Sequence, residues 1–277
     1  GADLKAAAAA RVSMPCGPAK DECCMYLKTV QGGAIRTLFE VLKDIVHDVP
    51  LQFDSTGVRL LTMDGSRCSL ISFKLHAESF EEYACASKFT VGVNVSSLFK
   101  LVRITGSHDT VTLYMLPGCS NELGITIQNA DKNSCTDFRL KLLDVNSEEI
   151  TIPEVEFDSV ITMPSAYLQR LCRDALNIAD HMTIRSAQGV LTMLCDGDFA
   201  RQETVIGVAD TGMAIEWREG GAAEGRFNLK FLSSFCKAST LCNVVELFMK
   251  QSFPLIMRYG VASLGELRSE EHTSELQ

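Results

Sequence analysis

Apolar residues recur at Ile35, Leu38, Phe39, Leu42, Ile45 and Val46, after a Gly32-Gly33 break. That three-and-four spacing predicts an amphipathic helix. Two stretches of β type follow, PLQFDSTGVRLLTMDG and SRCSLISFKLH, punctuated by Ser55-Thr56-Gly57 and Asp64-Gly65. They read as short strands joined by turns. A second helix is predicted over 95–104, then further strands to about residue 143. Ordered structure is expected from about Met25.

The plan then repeats. Residues 94–115 align without a gap onto 228–249: Asn94 meets Asn228, Leu98 meets Leu232, Arg103 meets Lys237, and Val111, Leu113 and Met115 meet Val245, Leu247 and Met249. LFEVLKD likewise matches LQRLCRD, and FDSTGVRLLTM matches IRSAQGVLTML with a one-residue slip. Self-similarity of this kind marks an internal duplication. The predicted class is α+β, two similar domains with two helices each. The expected division is a disordered or artefactual extension over 1–24, a first domain over 25–142, a connector stiffened by Pro153 over 143–157, a second domain over 158–267, and a foreign tail over 268–277.

The chain has 277 residues, 46% of them hydrophobic, enough to bury a substantial core. Apolar runs are too short for a membrane-spanning helix, and the Ala6–Ala10 run is too short and weakly flanked for a signal peptide. An intracellular protein is expected, with the eleven scattered cysteines as reduced, mostly buried thiols. No paired C-x-x-C is present and the five histidines do not cluster with cysteines, so neither metal nor cofactor is expected.

The net charge is −9, which argues against a polyanion partner until the placement of charge is considered. Each predicted helix carries cations three or seven residues apart: Arg36 with Lys43, Lys100 with Arg103, Arg170 with Arg173, and Lys230 with Lys237. Both spacings return to nearly the same face. One such stripe is an ordinary solvated surface; four in an acidic chain predict a basic helical surface. Acidic residues gather in loops and the connector, at Glu78, Glu81, Glu82, Glu148, Glu149, Glu154 and Glu156. With no zinc finger, basic zipper or RNP-type aromatic motif, the surface suits a duplex phosphate backbone contacted without regard to sequence.

The stretches GVRLLTMDGSRCSLISF, FTVGVNVSSLFKLV, LKLLDVNSEEITIPEVEF and MPSAYLQRLCRD, in that order, resemble the proliferating cell nuclear antigen family of DNA sliding clamps over about residues 25–267. The resemblance implies a DNA-clamp fold assembled as a toroidal homotrimer, with helices lining a hole that duplex DNA threads. Hole-lining positions are matched by Lys28, Arg36, Lys43, Lys100, Arg103, Lys141, Arg170, Arg173, Lys230 and Lys237. It further implies a processivity factor in replication and repair, located in the nucleus or in the replication compartment of the source cell or virus. The implied partners are duplex DNA, a clamp loader, a second copy of the chain, and polymerase, ligase and flap nuclease carrying the short PIP-box motif. The PIP-box groove is matched by Met63, Arg67, Cys68, Leu70, Ile150, Ile152, Pro153, Phe157 and Pro254. Arg67 stands where many relatives have histidine, and Gln188 where the family has its modified lysine. After Leu267 the chain departs from the family's apolar ending, so Arg268–Glu271 are expected to weaken the groove's apolar wall.

Two other readings follow from the sequence. A heterotrimeric clamp subunit of the checkpoint or archaeal kind would share the fold. An enzyme would have to use pairs such as Cys172 with His181 and Asp180, or Asp64 with Asp198, but no G-x-S-x-G, P-loop, H-E-x-x-H or Rossmann glycine pattern accompanies them.

Overall fold

The computed structural model describes residues 16–63, 69–129, 131–145, 155–209 and 212–271. The first half runs β1 (Met25–Thr29), α1 (Gly32–Leu42), β2 (Asp48–Asp54), β3 (Gly57–Met63), β4 (Ser69–His76), β5 (Glu82–Cys85), β6 (Phe89–Asn94), α2 (Val95–Val102), β7 (Thr110–Met115), β8 (Glu122–Asn129) and β9 (Ser134–Lys141). The second half repeats that order: β10 (Ser159–Pro164), α3 (Ser165–Leu176), β11 (His181–Ala187), β12 (Val190–Asp196), β13 (Arg201–Ile206), β14 (Ala214–Trp217), β15 (Ala222–Asn228), α4 (Leu229–Phe235), β16 (Val244–Met249), β17 (Leu255–Val261) and β18 (Gly265–Glu271). The duplication read from sequence therefore holds element by element.

Alternation sets the strand faces. In β2, Val49, Leu51 and Phe53 are buried while Asp48 is exposed; in β15, Ala223 and Phe227 are buried while Ala222, Glu224 and Arg226 are exposed. Successive side chains of a strand point to opposite faces, so one face packs on the core. α1 buries Ile35, Leu38, Phe39 and Leu42 of the stripe predicted for it, and α3 buries Leu168, Leu171, Cys172 and Ala175. Together with the inward strand residues they form one continuous core through both halves.

Among the described residues, three antiparallel sheets cover it. Strands order as β5-β1-β7-β8-β9 in the first, β13-β12-β11-β15 in the second, and β14-β10-β16-β17-β18-β4-β3-β2-β6 in the third. The nine-stranded sheet joins the halves: β18 lies against β4, with Leu267 opposite Phe73 and Ser269 opposite Ile71. β4 and β13 are repeat equivalents, as are β9 and β18. The five- and four-stranded sheets thus correspond to the two parts of a second nine-stranded sheet, separated, with β9 and β13 as the edges at which they part.

Three expectations change. Residues 16–24 are ordered against the first domain: Cys24 donates its amide to the Met115 carbonyl at 2.9 Å, and Lys20–Glu22 make a 3-10 turn. Residues 1–15 lie outside the described part. Cys16 and Cys135 form a disulfide with a Cα separation of 6.0 Å, so these two are not free thiols. Finally, Arg268–Glu271 continue β18 rather than leaving the fold: Glu270 pairs with Leu70 and Glu271 with Ser69, and Ser269, Glu270 and Glu271 are buried. A strand already paired on both sides leaves these residues no freedom to stand as a separate tail.

Candidate nucleic-acid interface

Helices α2 and α4 begin alike, because repeat-related asparagines cap them. Asn94 Oδ1 accepts from the Ser97 amide at 2.9 Å, and Asn228 Oδ1 from the Lys230 amide at 2.9 Å. Such caps satisfy amides that the first turn leaves unpaired. α1 packs beside α2, α3 beside α4, and the 3-10 turn Cys236–Thr240 after α4 packs against α1, so the helices form one layer across both halves.

With their apolar faces buried, the helices turn their cations outward. Lys100, Arg103, Arg170, Arg173, Lys230 and Lys237 are exposed; Arg36 and Lys43 are half-buried. Arg103 caps the C-terminal end of α2, Lys43 that of α1, and Lys237 sits in the turn after α4 rather than in the helix predicted for it. Cations at helix C-termini meet the negative end of the helix dipole. Arg36 donates from Nη1 to the Thr105 carbonyl at 3.0 Å, which ties α1 to the end of α2. Arg170 lies over the Tyr167 ring, 5.2 Å from its centroid, and Lys43 over Phe99 at 5.3 Å. The other two candidates stand on strands. Lys28 in β1 pairs with Glu82 at 3.1 Å, and Lys141 ends β9, exposed.

Asp44 is the residue that sequence reasoning overlooked here. It accepts from Lys43 Nζ at 2.9 Å and from Lys237 Nζ at 2.9 Å. The hydrogen bonds from Lys237 and then Lys43 hold its carboxyl below the usual carboxylate range. The stripe pattern showed only cations; the bridge to Lys237 depends on a contact between halves that no local spacing reveals.

Of the groove residues, Arg67, Cys68, Ile150, Ile152 and Pro153 lie outside the described part. Met63 ends β3 opposite Leu70 of β4, and Leu70 is in turn opposite Glu270 of β18. Phe157 packs on Phe248 and Phe253, with ring centroids 5.3 and 6.1 Å apart, and half-buried Pro254 follows Phe253. Phe157, half-buried, thus sits in an aromatic cluster at the second-domain end of the connector. Glu156, beside it, pairs with Arg218 at 2.7 Å.

Cys172, the cysteine of the enzyme reading, is not set up as a nucleophile. Cys172 is buried with its sulfur 3.9 Å from that of Cys236, and that contact with burial pushes the thiol up. A nucleophilic cysteine needs the opposite shift. Asp64 lies outside the described residues, and among those described no three His, Cys, Asp or Glu side chains are grouped to hold a metal.

A duplicated α+β chain with its four α-helices in one layer, backed by antiparallel sheets in which β9 and β13 stand at edges, defines the class of two-domain DNA-clamp subunits. The chain belongs to the proliferating cell nuclear antigen family: residues 25–149 match "Proliferating cell nuclear antigen, N-terminal domain" and residues 151–269 "Proliferating cell nuclear antigen, C-terminal domain". It is also 43% identical over 252 residues to the "Probable DNA polymerase sliding clamp 1" of Paramecium bursaria Chlorella virus 1, covering 90% of this chain and 96% of that one.

Proposed function

We propose that this chain is a DNA sliding clamp, a processivity factor that encircles duplex DNA without reading its sequence and tethers a polymerase to it. The observation that carries this is the single helical layer, which gathers six exposed cations from both halves in a chain of net charge −9. Diffuse, water-screened contact with phosphates leaves the energy nearly flat as the protein moves along the duplex, whereas fixed base contacts would pin it.

The assembly we infer is a ring closed by β9 of one chain on β13 of the next. Within the chain, β18 pairs with β4; the repeat equivalents of those strands are β9 and β13, both at sheet edges. Pairing them between chains rebuilds the nine-stranded sheet and covers edges that would otherwise invite uncontrolled association. The contact is head-to-tail, so it must close on itself to avoid filaments, and three copies are expected from the family. Replication and repair partners bearing a PIP-box would dock beside the connector, their aromatic anchors against the Phe157 cluster. A clamp loader would open the ring, in the nucleus or a viral replication compartment.

The test is retention on DNA. Loaded onto nicked circular DNA, the clamp should stay bound until the circle is cut, and its polymerase stimulation should fall steeply with salt. A variant carrying Arg103→Glu, Arg173→Glu and Lys237→Glu should lose at least about ten-fold in retention while keeping its assembly state. Unchanged retention by that variant would show that DNA does not contact the helical layer.

A further inference from the structure

We propose that Asp44 is a positioning residue that holds Lys43 and Lys237 across the boundary between the halves and tempers their grip on DNA, keeping the clamp mobile. The proposal rests on the assignment of the helical layer to DNA.

Asp44 stands two residues beyond the last residue of α1, Leu42, where the negative end of the helix dipole disfavours an anion. A local rule broken at a surface position asks for a compensating contact. Two supply it, both at 2.9 Å: Lys43 from the same half and Lys237 from the turn after α4. Lys43 is held from a second side by the Phe99 ring of α2. Three elements of the layer therefore converge on one carboxylate, and two ammonium groups share one negative charge.

All three side chains are partly open to solvent, at 36, 28 and 53% for Asp44, Lys43 and Lys237, so the cluster adds little to stability. Its consequence is electrostatic. A phosphate approaching either lysine must compete with Asp44 and also meets its charge. The cluster presents a net +1 where the two lysines alone would present +2. Weak, exchangeable contacts favour sliding; release of both lysines would favour a fixed grip.

Asp44→Asn should lengthen retention on closed circular DNA several-fold at moderate salt. It should also steepen the salt dependence of DNA affinity by about one per chain engaged and slow diffusion along the duplex. Asp44→Glu should restore wild-type behaviour, and Asp44→Ala should act like Asp44→Asn. The gain should shrink when Asp44→Asn is combined with Lys237→Gln. The NMR signal of the Lys237 ammonium should broaden in Asp44→Asn without DNA, since its partner is gone. If Lys237→Gln weakens retention but Asp44→Asn leaves retention and salt slope unchanged, the tempering role is overturned while the DNA-facing layer stands. If salt, Lys237→Gln and the arginine reversals all leave retention unchanged, the layer itself is misassigned and this proposal falls with it.

Discussion

Asp54 shows how much one turn depends on a single carboxylate. One of its oxygens accepts from the Thr56 hydroxyl at 2.6 Å and the Thr56 amide at 2.7 Å, and the other is paired with Arg59. These contacts, the Thr56 hydroxyl first, hold its carboxyl down to about 2 from an ordinary 3.8. A depressed carboxyl stabilises the fold above its unfolded value, and that contribution is lost as the pH falls through its folded value. Urea melts should therefore show the wild type losing stability relative to Asp54→Asn between about pH 4 and pH 2, with a constant difference from pH 5 to 7. The repeat-related caps offer a second check. Asn94→Ala and Asn228→Ala should each cost about 1 kcal/mol in a denaturant melt, since each leaves first-turn amides without an acceptor.

At the scale of elements, the β11–β12 hairpin carries a residue its turn does not favour. Ala187 pairs with Val190, and the two residues between them, Gln188 and Gly189, have φ of 52° and 76°. Two positive φ values in a two-residue loop suit Asn-Gly, and a long side chain there is strained. Gln188→Asn should add up to about 1 kcal/mol, a rise of about 2–4 °C in Tm, without changing DNA retention. Gly189 is the better fitted of the pair, since a Cβ there would meet the Trp217 ring at 2.8 Å. The end of β18 carries an opposite expectation. Ending the chain after Leu267 removes Ser269, Glu270 and Glu271 from between β17 and β4 and exposes both strands. Hydrogen exchange should then speed up in β4 and β17 while β1, β7 and β8 keep their protection.

For the whole molecule, the free edges of β9 and β13 set the expectation. Both strands are largely exposed, and Val205 on β13 and Phe199 just before it are 63% and 78% exposed, which a lasting monomer would leave as sticky apolar surface. Light scattering at micromolar concentration should give a mass near three times 30.4 kDa, unchanged by the helix charge reversals. Val205→Glu should lower that mass, because a charge on the edge opposes strand pairing. A stable monomer in the wild type would sink the ring.

The repeat, the helices and the exposure of six of their eight cations were legible in the sequence, because they follow from local periodicities of two and 3.6 residues and from self-similarity; Arg36 and Lys43 are half-buried instead, and Lys237 lies in a 3-10 turn. Asn94 aligns with Asn228, and each caps its helix; most of the helix cations stay exposed because an amphipathic helix has only one side to bury. What pairs over long stretches of chain was not legible. β18 finding β4, Ser269 buried between strands, Cys16 reaching Cys135, and Asp44 gripping Lys237 all join residues far apart in the chain. Such contacts depend on how sheets close and helices pack in three dimensions, and spacing along the chain carries no record of them. That is why the polar residues Arg268–Glu271 carry no sign in the sequence that they extend β18 along β4, where the two halves meet.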